Sequence, residues 1–341
     1  MRNRSRRLAG AIALSVAFVV VMPFEAIATP PLGFGAAVKA RVGQTKIGAV
    51  QALEGKIDRK LELVRVYGLW NEVFPDSYAR WLTDPTSTQT APGTAGGRTL
   101  IYSIKAKRTD GTRILWSDIA NAAFGSPLHD QMVLWAQRIK AFGQPIYLSF
   151  NHEPESAENK PSGGSAEYIA AWKRFQAVFA SQNVTNVTWT WIATAFGFSA
   201  KRRQIATRYY PGDAYVDVIA VDGYNWYECR PEAKLEWKSA QEVFQDFRTW
   251  TALHPSKPVI VTEYGSVEDQ GDATRKARWI ADASAWFKAW DQLTAVLYWS
   301  SNATKKYPDC VFFADTSQAS TAAFREMGLD PAYRPDFQTI S

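Results

Sequence analysis

The chain has 341 residues and a formal charge of +6, from 39 lysines and arginines against 33 aspartates and glutamates. Four of the arginines fall within the first seven residues, and the remaining charge is too even to form the basic stripe expected of a nucleic-acid partner. The two cysteines and three scattered histidines (His129, His152, His254) give no zinc spacing. Neither GFGAAV (33–38) nor APGTAGGR (91–98) completes a dinucleotide or phosphate-loop pattern, so no metal or cofactor is expected.

Taken in chain order, the first feature is four arginines followed by an apolar run from Leu8 to Met22 and the small-x-small triplet Ala26-Ile27-Ala28. These are the parts of a secretory signal peptide. The apolar run is shorter than the roughly 20 residues of a membrane span, which weighs against the rival reading, an uncleaved anchor. Cleavage after Ala28 would lower the formal charge to +3, because Arg2, Arg4, Arg6, Arg7 and Glu25 depart. The expectation is a leader over 1–28 and a single domain over 29–341. The product would be a secreted monomer with no membrane association after cleavage.

Beyond the leader, short β-branched or aromatic runs alternate with longer amphipathic stretches, the rhythm of parallel βα units. Strands are predicted at 32–38, 61–68, 98–106, 144–150, 187–195, 216–224, 257–265 and 293–301. Helical patterns occupy 49–61, 129–143, 164–182, 239–254, 272–290 and 316–328, and 83–98 reads as a loop. Ser165 with Glu167, and Asp272, fit helix N-caps, and Gly143 fits a helix stop. Eight strands with intervening helices predict an α/β fold, a (β/α)8 TIM barrel, with a doubly wound open sheet as the other arrangement.

A barrel of this kind carries its chemistry where strands end and βα loops begin. The fourth run ends LSFNHEPES (148–156), with Asn151, His152 and Glu153; the seventh ends VIVTEYGS (259–266), with Glu263. The sixth ends AVDGYNW (220–226), the eighth LYWSSN (297–302), and the second RVYGLWNE (65–72). Glu153 and Glu263 are 110 residues apart, three βα units, which places both at one rim. Two facing carboxylates are the minimum equipment for cleaving a glycosidic bond: one protonates the leaving oxygen, the other attacks the anomeric carbon or activates water. The two need different environments. Glu263, on the strand parity of Val259 and Val261, is expected near the barrel axis with Tyr224 donating to it, and Glu153 is expected to hold the proton.

Eight strands, the His152-Glu153 pair, DGYNW at 222–226, TEYG at 262–265 and YWSS at 298–301 together resemble glycoside hydrolase family 26 of the clan A retaining glycosidases. That resemblance implies Glu153 as acid/base and Glu263 as nucleophile. It implies His152 at the sugar or its acid neighbour, Tyr224 on the nucleophile, and Trp299 as the aromatic floor beside the scissile bond. The substrate it implies is a polysaccharide, β-1,4-mannan first, with mixed-linkage β-glucan or xylan as alternatives. The segment after Glu153, PESAENKPSGGSAEY, lacks the tryptophans that mannanases of the family often carry there. Asn151 and the loop aromatics Trp70 and Trp226 join the expected substrate-binding set.

Other roles stay open at this level. Glu155 is a rival acid, Asp222 a loop tie or a site residue, and Arg65 a partner for Glu263 or for a structural carboxylate. Trp189 and Trp191 read as packing. Cys229 and Cys310, an even pair in an exported chain, suggest one disulfide linking the loops after the sixth and eighth strands. A non-catalytic carbohydrate-binding barrel is the competing function; binding alone does not call for two facing acids.

Overall fold

The computed structural model describes residues 31–86, 97–230, 236–302 and 307–333; the expected leader and most of the 83–98 loop lie outside them. Eight strands run in sequence order round a closed barrel: β1 (Gly33–Val38), β2 (Leu63–Leu69), β3 (Thr99–Lys105), β4 (Ile146–Phe150), β5 (Val187–Thr194), β6 (Val218–Asn225), β7 (Val259–Ser266) and β8 (Leu293–Ser300). All pairs are parallel, and β8 closes the ring on β1 from Gly33↔Ala295 to Val38↔Ser300. Each predicted strand is present with ends within two residues of expectation. Continuous apolar runs are the right signal here, since parallel strands covered on both faces need apolar residues of both parities.

The helices are α1 (Lys46–Ile57), α2 (Asp76–Thr83), α3 (Trp116–Ala120), α4 (Pro127–Phe142), α5 (Ser165–Ser181), α6 (Ala240–Thr251), α7 (Arg275–Lys288) and α8 (Gln318–Leu329). At 8 and 5 residues, α2 and α3 are too short to stand out as helical repeats in the sequence. Gly143 stops α4 with φ 75° as anticipated. The two N-caps fall elsewhere. Gly164 caps α5, its amide donating to Glu167 at 3.1 Å, and Thr274 caps α7 while Asp272 accepts from the Thr274 amide in the turn before it.

Inside the barrel, Leu63, Ile101, Tyr147, Ile192, Ile260 and Leu297 belong to one buried cluster. Gly35 on β1 leaves room for it: a Cβ there would sit 2.5 Å from the Leu63 carbonyl oxygen and 2.9 Å from Leu297. The opposite parity packs outward on the helices. Trp189 meets Trp172, Phe175 and Phe179, and Trp191 meets Phe198, Tyr210 and Trp250, so both are packing residues. Arg98, fully buried, ties β3 to α1 through two bonds to Glu54 at 2.6 and 2.8 Å.

One irregularity positions the site. On β7, Ile260 joins the interior cluster, whereas Val259, Val261 and Tyr264 join the outer core. Regular alternation would then send Glu263 outward. The register slips instead: Val221 pairs with Val261 but Asp222 with Glu263, leaving Thr262 as an extra residue. This β-bulge turns Glu263 inward. The expected parity with Val259 and Val261 is thus wrong in its premise, since those valines face the helices, and right about where Glu263 ends up.

Candidate active site

Along β2 the inward parity runs Leu63, Arg65, Tyr67. Arg65 is buried, and one guanidinium nitrogen lies 2.5 Å from Asp222 on β6 and 2.7 Å from Glu263 on β7. Its open question resolves into both roles at once. Tyr67 donates its hydroxyl to the same Glu263 oxygen, Oε1, at 2.6 Å, so that oxygen lies between a hydroxyl donor and a cation. Thr262, the bulged residue, donates to Asp222 at 2.7 Å. Asp222 is therefore a buried anchor for Arg65, not a surface tie between loops.

Glu153 follows β4 by three residues in a backbone that few side chains adopt. Asn151 and Glu153 both have left-handed φ, 46° and 53°, a conformation that costs a non-glycine residue on the order of 1 kcal/mol. Neighbouring strands hold it in place. Asn151 N donates to Ile104 O at 2.7 Å and Glu153 N to Ile192 O at 2.8 Å. The Ala106 amide donates to Asn151 Oδ1 at 2.9 Å, and Asn159 Nδ2 donates to the carbonyls of His152 and Glu153 at 3.0 and 2.9 Å. Asn151 was expected to touch substrate; its carboxamide oxygen is instead committed to backbone and its side chain is buried. It shapes the acid's turn.

The electrostatics divide the two glutamates. Burial raises Glu153 well above the usual carboxylate range, and the charges of Asp222 and Glu263 push it further. Burial also raises Glu263, but Arg65 opposes it most strongly and the Tyr67 hydrogen bond adds to that pull. Of the two, Glu153 is the group that burial and its neighbours' charges favour as the protonated one. His152 is held neutral by burial, with Lys105 and Arg65 adding to the effect, and its ring lies 5.5 Å from that of Tyr67. Lys105, ending β3 on the inward parity of Ile101 and Ser103, lowers Glu153, Asp222 and Glu263 alike.

Two expectations about aromatics are corrected. Tyr224 does not hold Glu263; that hydroxyl is Tyr67's. Tyr224 packs 5.2 Å from Trp226, Trp299 and Phe312 instead. Trp70 is not a sugar platform either. It lies past the end of β2, 1% exposed, among Phe150 and Phe175, and its indole donates to Gln131. Trp226 and Trp299 stay half-buried around Phe312. Cys229 and Cys310 are bonded, Cα atoms 5.1 Å apart, beneath this aromatic wall.

Glu155, the rival acid, accepts from the Thr194 amide and hydroxyl at 2.6 and 2.7 Å. Burial pushes it up to about 7, against those bonds. It braces the loop after β4 against the end of β5. The residues the sequence reading left unassigned are Tyr67, Lys105, Thr262 and Asn159. Tyr67 and Lys105 were within reach, since each continues the inward parity of its strand.

The profile of glycosyl hydrolase family 26 matches residues 128–309, just over half of the chain, from before β4 to beyond β8. The chain belongs to glycosyl hydrolase family 26. Among curated relatives, endoglucanase H of Acetivibrio thermocellus is 26% identical over 337 residues, 95% of this chain and 33% of the relative; the chain thus spans about a third of that protein's length. Among solved structures, a modular endo-β-1,4-mannanase of Cellulomonas fimi superposes with a TM-score of 0.64 at 16% identity, over 91% of this chain and 74% of the other. The catalytic domain of a family 26 endo-β-1,4-mannanase from Bacillus sp. JAMB-750 gives 0.59 at 15%, over 89% and 87%. These structures share the fold. Both glutamates lie inside the matched segment, whereas Arg65 and Tyr67 precede it.

Proposed function

We propose that the protein is a retaining endo-hydrolase of a β-linked polysaccharide, with Glu153 as acid/base and Glu263 as nucleophile. The observation that carries this reading is the asymmetry of the pair: two glutamates end β4 and β7 at one barrel mouth, and Arg65 and Tyr67 bond to Glu263. In the first step Glu153 gives its proton to the glycosidic oxygen while Glu263 Oε2, opposite the oxygen held by Arg65 and Tyr67, attacks the anomeric carbon. In the second, Glu153 takes a proton from water, which displaces Glu263 and restores both groups. His152, neutral, is suited to contact the bound sugar, and Trp299 and Trp226 offer stacking faces.

On the substrate, β-glucan stands ahead of mannan, reversing the order read from the sequence. The curated relative at 26% identity is named an endoglucanase, while the mannanases named above share 15–16%. The absence of tryptophan after Glu153 points the same way. Export of the protein is supported by its disulfide. The test is an activity screen on mixed-linkage glucan, glucomannan, galactomannan and xylan, with the product anomer followed by proton NMR. A β-anomer formed first, from internal cuts in glucan, is the expected result; an α-anomer would overturn retention, and no cleavage of any polymer would overturn the enzyme assignment for this chain.

A further inference from the structure

One side-chain cluster beside the catalytic carboxylates has no part in the glycosidase steps beyond the charge of Lys105. Lys107 and Arg113 are partners in an antiparallel bridge in the loop after β3. Like charges directly opposite one another repel. Both meet the same carboxylate oxygen, Oε1 of Glu158, at 3.9 and 3.7 Å, and Lys105 meets Oε2 at 3.6 Å. Three cations thus converge on one carboxylate whose side chain is 42% exposed. At these distances and that exposure each pair is weak, and the cluster keeps two positive charges in excess.

Its position relative to the acid is fixed by the backbone. The Ala106 amide, between Lys105 and Lys107, donates to Asn151 two residues before Glu153. Lys105 itself acts on Glu153 and Glu263. The cluster therefore borders the catalytic mouth through Lys105, with Glu158 as its carboxylate partner.

We infer that Lys105, Lys107 and Arg113 form a subsite for a carboxylate carried on the polysaccharide, so that the enzyme prefers a uronate-bearing chain over its neutral counterpart. The inference rests on the polysaccharide reading above and adds the charge of the substrate to it. Long-range attraction also speeds encounter, an effect that salt removes.

The experiment uses one β-glucan in two forms, neutral and with part of its C6 hydroxyls oxidised to carboxylate, so that backbone and linkage are constant. The ratio of kcat/KM, oxidised over neutral, is expected to be about three or more at low ionic strength. It should fall to about one at roughly 0.5 M NaCl, where the Debye length is near 4 Å, and in a Lys107→Ala, Arg113→Ala double variant. Glu158→Gln, which removes the competing carboxylate, should raise it. A ratio of one or below for the wild type, or a preference that survives in the double variant, overturns the subsite. Affinity electrophoresis in gels containing each polymer reads binding without turnover. If neither form is cleaved but only the oxidised one retards the wild type, the subsite stands and the catalytic reading fails; equal retardation by both sinks the subsite.

Discussion

The Tyr67 hydroxyl on β2 donates across the barrel to Glu263 on β7 at 2.6 Å. A donor to a carboxylate favours its charged form. Tyr67→Phe should therefore raise the Glu263 pKa and move the acid limb of the kcat/KM profile to higher pH, with kcat down on the order of 10-fold or more. A pH–rate profile with an unshifted acid limb would show that the bond has no catalytic part.

The two glutamates should separate kinetically. Glu263→Ala removes the group that forms the intermediate, and every substrate should lose turnover. Glu153→Ala should slow polysaccharide cleavage by about 10²–10⁴, spare the first step with aryl glycosides that carry good leaving groups, and regain activity with azide, which needs no general base. The same loss on all substrates, unrelieved by azide, would remove Glu153 from the acid/base role.

Arg65→Met leaves Asp222 and Glu263 buried without their cation, a change that costs about 3–5 kcal/mol where it breaks a buried pair. Arg65 is a cause of lowering for both carboxylates, so their folded pKa values rise in the variant. A raised folded carboxylate pKa favours the fold at low pH and loses that benefit as pH climbs through it. The deficit against wild type should thus be largest at alkaline pH and shrink as pH falls through the wild-type folded value of Glu263, raised to about 8. Urea unfolding at several pH values measures it, and a deficit independent of pH would place its origin in packing.

The Cys229–Cys310 bond spans 81 residues, and closing a loop of that length contributes about 4 kcal/mol in the chain-entropy model. The Cys229→Ser, Cys310→Ser double variant should melt several degrees lower. The bridge packs with Trp226 and Trp299, so a rise in KM at temperatures well below melting is expected too. If only the melting temperature moves, the bond serves stability alone.

How much of this was legible in the sequence depends on range. The eight strands were, because each is a dense apolar run bounded by polar residues. Glu153 and Glu263 stood out because a charged residue at the end of such a run is conspicuous. Arg65 was readable as a partner for Glu263, but the pairing with Tyr67 was not: parity points Tyr67 inward without saying that its hydroxyl meets a glutamate 196 residues away. Trp70 misled because an aromatic just past a strand reads as rim, whereas its amide bonds to Lys107 O and draws the ring beneath the loop. The left-handed turn at Asn151 and Glu153 has no glycine to announce it.

The slip at Thr262 bears on anyone who would move this chemistry elsewhere. Grafted as a peptide into a regular strand of another barrel, VIVTEYGS would deliver Glu263 into the space where Tyr264 now meets Trp279 and Phe287. The orientation of the nucleophile is thus stored in a mismatch of length between adjacent strands. A regular strand would need one residue fewer between Val261 and Glu263 to aim the carboxylate at Arg65, so the bulge stands in for that deletion while keeping Thr262 bonded to Asp222.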